Sequence, residues 1–126
     1  MSLRAVLAWS WTALILGLCW FPRSMMRGAE TGPKPYFIPH LDKLVHFGLF
    51  FGFAWLWARA RPGRVRAVLL AGIALAVLTE LGQMAPIVNR DAGFDDGLAD
   101  VAGVLAGLGA YLLGRRADRR GPTPLA

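Results

Sequence analysis

The stretch AVLLAGIALAVLTE, residues 67–80, decides how this chain folds. Residues 67–79 carry no Lys, Arg, Asp or Glu, and the run then meets Glu80. A surface helix of a soluble protein shows one polar face, with charged residues recurring every three or four positions. No such face exists here, so hydrocarbon is the better solvent for this helix. Working outward, residues 5–21, 44–58 and 101–114 have the same character. The chain has 126 residues, 56% hydrophobic and only 17% charged, and the charges avoid these four runs. The pattern predicts an all-α polytopic membrane protein, a four-helix transmembrane bundle over residues 1–114, with a basic, disordered tail at 115–126.

None of the four runs reaches the ~20 residues of a typical spanning helix. Each must therefore borrow polar residues from its flanks, which draws particular ionisable groups into the bilayer.

The net charge of +6 would suggest nucleic-acid binding in a soluble chain, but here the arginines flank apolar runs. Membrane topology explains them better than a phosphate-binding surface, so no nucleic-acid partner is expected. Arg4, the second connection (Arg59, Arg61, Arg64, Arg66) and the C-terminal segment (Arg115, Arg116, Arg119, Arg120) hold nine of the 14 basic residues. Arg23, Arg27, Lys34, Lys43 and Arg90 lie in or beside the other connections. The bias places both termini and the second connection in the cytoplasm, and the first and third connections outside. A secretory signal at residues 5–21 is the alternative, but residues 24–29 offer no small-x-small cleavage site. Cys19 lies within this run and, as the sole cysteine, reads as a buried small hydrophobe.

Gly28, Gly32, Pro33, Pro35 and Pro39 keep residues 22–41 from forming one helix. Within that loop, residues 34–39 set aromatic groups just before a span, the pattern of interfacial anchoring, and His40 belongs to the same layer. Pro62-Gly63 makes the second connection a tight turn, so the second and third spans are expected to be antiparallel neighbours. Pro86 interrupts the third helix, and the chain is expected to emerge near Asn89-Arg90. Asp91 and Asp95 read as turn residues, and the fourth span begins near Asp95 or Asp96. Trp9, Trp11, Trp20, Trp55 and Trp57 read as interfacial or lipid-facing groups.

Counting inward from the cytoplasmic arginines puts the polar residues on a common depth scale. His46 lies 13 residues before Arg59 and Glu80 lies 14 after Arg66, each about 20 Å at ~1.5 Å per residue. Asp100, 15 residues before Arg115, reaches roughly 22 Å on the fourth helix. Asp42, Gln83 and Asp96 form a second layer nearer the outer surface, within reach of Arg90. Spacing agrees with depth, because Asp42 and His46 are four apart and Glu80 and Gln83 three apart, so each pair shares a helix face. On the fourth helix Asp96, Asp100, Gly103, Gly107, Ala110 and Gly114 form one stripe. Its small residues permit close helix packing, which turns both carboxylates towards the bundle. Gly48 and Gly52 suggest a similar surface on the second helix.

The ordered set Asp42-Lys43-x-x-His46-Phe47, Glu80-x-x-Gln83 and Arg90-x5-Asp96-x3-Asp100-x2-Gly103-x3-Gly107 resembles the VanZ-like family of small bacterial membrane proteins. The resemblance covers residues 38–114, with the first helix similar in character alone. The family commonly has Asn where Asp100 stands. The resemblance implies a place in the cell envelope and a family whose founding member is linked to resistance to the glycopeptide antibiotic teicoplanin. It implies no particular reaction.

The expected site therefore comprises Asp42, His46, Glu80, Gln83, Arg90, Asp96 and Asp100, with Gly103 and Gly107 packing the helices beneath it. An ionised carboxylate in hydrocarbon costs ~2.5–3.5 kcal/mol on insertion scales, which points to function or tight pairing. The reading favoured is a binding site for a membrane lipid headgroup, a lipid-linked envelope precursor or a glycopeptide-related ligand, with Arg90 meeting an anion. One alternative is a purely structural polar network, in which Asp42 and Asp96 also cap their helices. A second is a membrane-embedded enzyme acting on a lipid-linked substrate, with His46, Glu80 and Asp100 as acid, base or metal ligands. A third is a transporter or proton relay. The absence of H-E-x-x-H, paired cysteines, a nucleophile elbow or a Walker loop turns the reading away from catalysis, and neither a cofactor nor a metal is expected. Sequence leaves the oligomeric state open.

Overall fold

The computed structural model describes residues 1–22, 25, 41–89 and 93–121. Among these residues there are four α-helices and no strand: α1 (Leu3–Cys19), α2 (Leu41–Ala60), α3 (Val65–Gln83) and α4 (Phe94–Arg120). The segment with Lys34, Pro39 and His40, and Arg90 with Asp91, lie outside the described residues.

Local chemistry sets the helix ends. Ser2 caps α1, its Oγ accepting from the Ala5 amide at 3.3 Å. Arg61, Pro62, Gly63 and Arg64 alone separate α2 from α3, with Gly63 at a φ of +87° that a Cβ would strain. This tight turn makes α2 and α3 antiparallel neighbours, as its Pro-Gly pair predicts. Helix α3 stops three residues before Pro86, and the chain then turns through the Val88 and Asn89 amides, both bonded to the Ala85 carbonyl.

Helix α4 opens at Gly93, which caps it without a side chain, and Asp95 and Asp96 fall within its first turn. Asp95 is thus helical and exposed rather than a turn residue, and Asp96 is not the cap. Both carboxylates offset the positive end of the helix dipole. At its other end α4 continues to Arg120, so the tail expected to be disordered from residue 115 is helical for its first turn and a half. Arg and Ala favour helix, no breaker intervenes before Gly121-Pro122, and Arg119 and Arg120 complement the negative dipole end. Residues 122–126 lie outside the described residues.

Packing centres on α2, which lies along α4 on one side and against α1 on another, while α3 closes on α4 and α2. Ile15, Phe50, Ala54, Ala58 and Val104 are fully buried in the shared core, and Cys19 is buried with them. Two glycines allow α4 to lie close to α2: a Cβ at Gly103 would overlap the Phe47 carbonyl oxygen, and one at Gly107 the Phe51 carbonyl oxygen. The small-residue stripe works as a packing face at these two positions and stops there, since Gly114 has open space around it. Gly52 faces Trp11 of α1 instead of α4, and Gly48 touches nothing, so the second helix's glycines do not form the matching surface expected of them.

The tryptophans also differ from expectation. Trp11 donates its indole N–H to the Leu49 carbonyl at 2.8 Å, and Trp57 donates to Thr12 Oγ1 at 3.0 Å. Trp11, Trp20, Trp55 and Trp57 pack against the core, while Trp9 is exposed yet meets Trp57 edge-on at 4.9 Å between centroids. A ring held away from water needs an acceptor for its N–H, and the helix interfaces supply one to Trp11 and Trp57, whereas the buried Trp20 N–H has none among the described residues.

Large apolar side chains nevertheless cover much of the outside, among them Leu70, Val77, Leu81, Leu98 and Leu113. Helices α3 and α4 are long and apolar enough to cross a membrane, with mean hydropathy 1.9 and 1.5 over their most apolar stretches. Helix α1 is apolar but shorter, at 17 residues.

Candidate functional site

The polar residues meet where α2, α3 and α4 converge. The close approach at Gly103 sets the spacing: one turn before it along α4, Asp100 comes within hydrogen-bond reach of α2. Its Oδ1 lies 2.8 Å from His46 Nδ1, and the carboxylate is completely buried. From α3, Glu80 closes the triangle, so that one potential ligand atom from each of His46, Glu80 and Asp100 lies within 4.8 Å of the others. The three residues expected at one depth are brought together by three different helices.

Beside them Gln83 is 2% exposed and Thr79 is fully buried, its hydroxyl donating to the Ala76 carbonyl at 2.9 Å. Asp96 sits towards the end of the helix, with Oδ1 3.8 Å from Lys43 Nζ. Asp42 does not join the cluster. Its side chain is mostly exposed and lies 3.6 Å from the same Lys43 ammonium. Being four residues before His46 puts Asp42 on the same face, but in the first turn of α2, where its side chain stays exposed. Arg90 lies outside the described residues.

Two members escaped sequence reasoning. Lys43 reads as one more basic residue near a membrane surface, but it is three residues from His46 and therefore on nearly the same face. That spacing is the signal that identifies it as the cation beside Asp96. Thr79 carries no comparable signal, since a hydroxyl that bonds its own helix is indistinguishable in sequence from lipid-facing threonine.

The cluster is rich in acceptors and poor in donors. Glu80 Oε1, Gln83 Oε1, Asp96 Oδ1 and Asp100 Oδ2 are buried and have no hydrogen-bond partner among the described residues. Buried polar atoms in folded proteins are nearly always paired, and leaving one unpaired costs ~1–3 kcal/mol. Of the four, Asp96 Oδ1 has the Lys43 ammonium at 3.8 Å, which leaves three with no partner among the described residues. Next to the cluster, an apolar groove of about 420 Å³ runs between α3 and α4, lined by Ile73, Val77, Leu81, Leu98 and Val101, and reaches Glu80. A polar end joined to an apolar channel has the form of an amphiphile.

A family model described as VanZ/LLP1 matches residues 5–115. The chain belongs to the VanZ/LLP1 family. The match begins inside α1, so the VanZ-like region takes in the first helix as well as the motif region from residue 38. No curated protein and no solved structure matches the chain. Membership of the VanZ/LLP1 family, with two helices able to cross a bilayer, points to a membrane protein.

Proposed function

We propose that this VanZ/LLP1 protein spans the bacterial cytoplasmic membrane four times and uses the α2–α3–α4 cluster to bind the headgroup of an envelope lipid or lipid-linked precursor, whose chain lies in the α3–α4 groove. The observation that carries the reading is the set of buried oxygens on Glu80, Gln83 and Asp100 without a partner among the described residues, beside an apolar groove that Glu80 helps to line. Hydroxyl, amide or ammonium groups of a headgroup supply the donors that the protein withholds.

Four spans fit the helix lengths. Helix α2, at 20 residues, covers about 30 Å at 1.5 Å per residue, and α1, at 17, covers about 26 Å. Asp42 and Lys43 at one end of α2, and Arg59 at the other, stand where long side chains reach the interfaces. Arg4, Arg59 and Arg115 gather around a cavity of about 300 Å³ at the end of the molecule opposite Asp96. Basic residues concentrated there favour a cytoplasmic location for that end and an outward location for the cluster. The teicoplanin link of the family's founding member fits an outward-facing site for an envelope ligand, and glycopeptide is the second ligand to be tried.

The test is thermal stabilisation of the purified protein by lipid-linked cell-wall precursor and, separately, by teicoplanin. The account expects a rise in Tm with precursor in the wild type that is abolished in Glu80→Gln. An equal rise in both proteins removes the cluster from the binding site, and no rise with either compound removes the proposed ligand class.

A further inference from the structure

We infer that His46, Glu80 and Asp100 bind one divalent cation of the Zn²⁺ or Mn²⁺ class, which turns the cluster from a repeller into an acceptor of phosphate. The cation site stands on the cluster's geometry alone; its role towards a phosphate-bearing headgroup rests on the function proposed above.

Geometry comes first. Ligand atoms around an ion with bonds of about 2.0–2.2 Å are at most ~4.4 Å apart. The three candidate atoms already lie within 4.8 Å of one another, so side-chain movements of about an ångström bring them to the ~3.3–3.6 Å separations of a tetrahedral site. Glu80 supplies that shift, since its Oε1 has no hydrogen-bond partner among the described residues, while its carboxylate also accepts from the Gly93 amide. The three ligands come from three helices, of which α2 and α4, carrying His46 and Asp100, are locked together by the Gly103 and Gly107 contacts, so the site is rigid on two sides and adjustable on the third.

The state of the individual atoms points the same way. Asp100 is 0% exposed, yet its Oδ2 has no hydrogen-bond partner, while Oδ1 is engaged with His46 at 2.8 Å. The Oδ1 contact fixes the His46 ring and leaves Oδ2 as the Asp100 oxygen that meets the ion. A structural network would pair Oδ2 with a donor; a cation satisfies it and Glu80 Oε1 together. Ligand type then selects the ion. One imidazole with carboxylate oxygens suits Zn²⁺ or Mn²⁺, whereas Mg²⁺ and Ca²⁺ prefer all-oxygen sets.

Charge explains why an ion matters. Among the described residues, Glu80, Asp96 and Asp100 confront one ammonium, that of Lys43, and the imidazole of His46. Such a cluster repels a phosphate or diphosphate. A divalent ion is the largest local charge in any site it occupies and reverses that balance, leaving a coordination position for a phosphate oxygen. Motif searching misses this arrangement because each helix supplies one ligand, so no short spacing encodes it.

The experiment uses the full chain purified in detergent. Stripped protein is titrated with Zn²⁺ and Mn²⁺ by calorimetry, and with Co²⁺ by its visible absorption. The expected result is about one ion per chain and a Co²⁺ spectrum of a nitrogen–oxygen site, with affinity reduced roughly tenfold or more in Glu80→Gln and His46→Ala. Absence of saturable binding in the wild type overturns the proposal, and so does unchanged affinity in folded variants. If a variant fails to fold, the wild-type Co²⁺ spectrum decides, since a spectrum of oxygen ligands alone excludes His46. A second arm measures binding of an isoprenoid diphosphate with and without chelator. Loss of binding on chelation supports both readings. Undiminished binding in chelator overturns the cation's role and leaves the lipid site standing. Ion binding without lipid binding upholds the cation and overturns the headgroup reading.

Discussion

Asp100 shows how much a single position carries. It is completely buried, it orients His46, and it adds an unpaired oxygen to the cluster. Asp100→Ala strands the His46 ring nitrogen in an apolar setting and opens a void, with an expected loss of about 1–3 kcal/mol in detergent unfolding. Asp100→Asn keeps an acceptor for His46 and loses less, in keeping with the Asn common at this place in the family pattern. Trp11→Phe removes the indole bond to the Leu49 carbonyl and is expected to cost about 0.5–1.5 kcal/mol by the same measurement. At this scale the sequence was readable where spacing encodes direction: His46, Glu80 and Asp100 follow from depth and helical phase. It was unreadable where the outcome depends on what surrounds a helix end. Asp42 shares a face with His46 but is mostly exposed, and Lys43 lies beside Asp96, where sequence alone offered Arg90, which is outside the described residues.

The helices themselves were legible because charge-free runs leave few alternatives, and the breakers Pro62-Gly63 and Pro86 mark where they end. Their pairwise contacts were legible only in part. Gly103 and Gly107 announce a packing face, and the structure sets that face on the backbone of α2. Gly52 looks equivalent in sequence, yet it accepts the ring of Trp11, since a small residue specifies close approach without naming the partner. These contacts yield a paired prediction. Gly103→Ala drives a methyl into the Phe47 carbonyl, a backbone group that cannot swing aside, and is expected to lower Tm and weaken ligand binding together. Gly109→Ala meets open space and is expected to hold or raise Tm, because alanine is the better helix former. Equal effects from the two substitutions would show that the α2–α4 contact does not position the cluster. The extension of α4 to Arg120 was hidden because a basic, Arg-rich segment reads equally well as tail or as helix until a neighbouring helix supports it.

For the whole molecule, the account joins a membrane topology to a buried polar cluster opening on an apolar groove. In a Cys19→Ala background, a cysteine at Gly32 is expected to react with an impermeant reagent on intact cells, and a cysteine at Arg61 only after lysis. The reverse pattern would turn the cluster towards the cytoplasm. The central claim, that the α3–α4 groove leads an amphiphile to the cluster, is tested most directly by mapping a photoactivatable isoprenoid phosphate onto the protein in membranes. The account predicts crosslinks concentrated at Val77, Leu81 and Leu98 and lost in Glu80→Gln; crosslinks spread evenly around the outer surface, unchanged by that substitution, would contradict it.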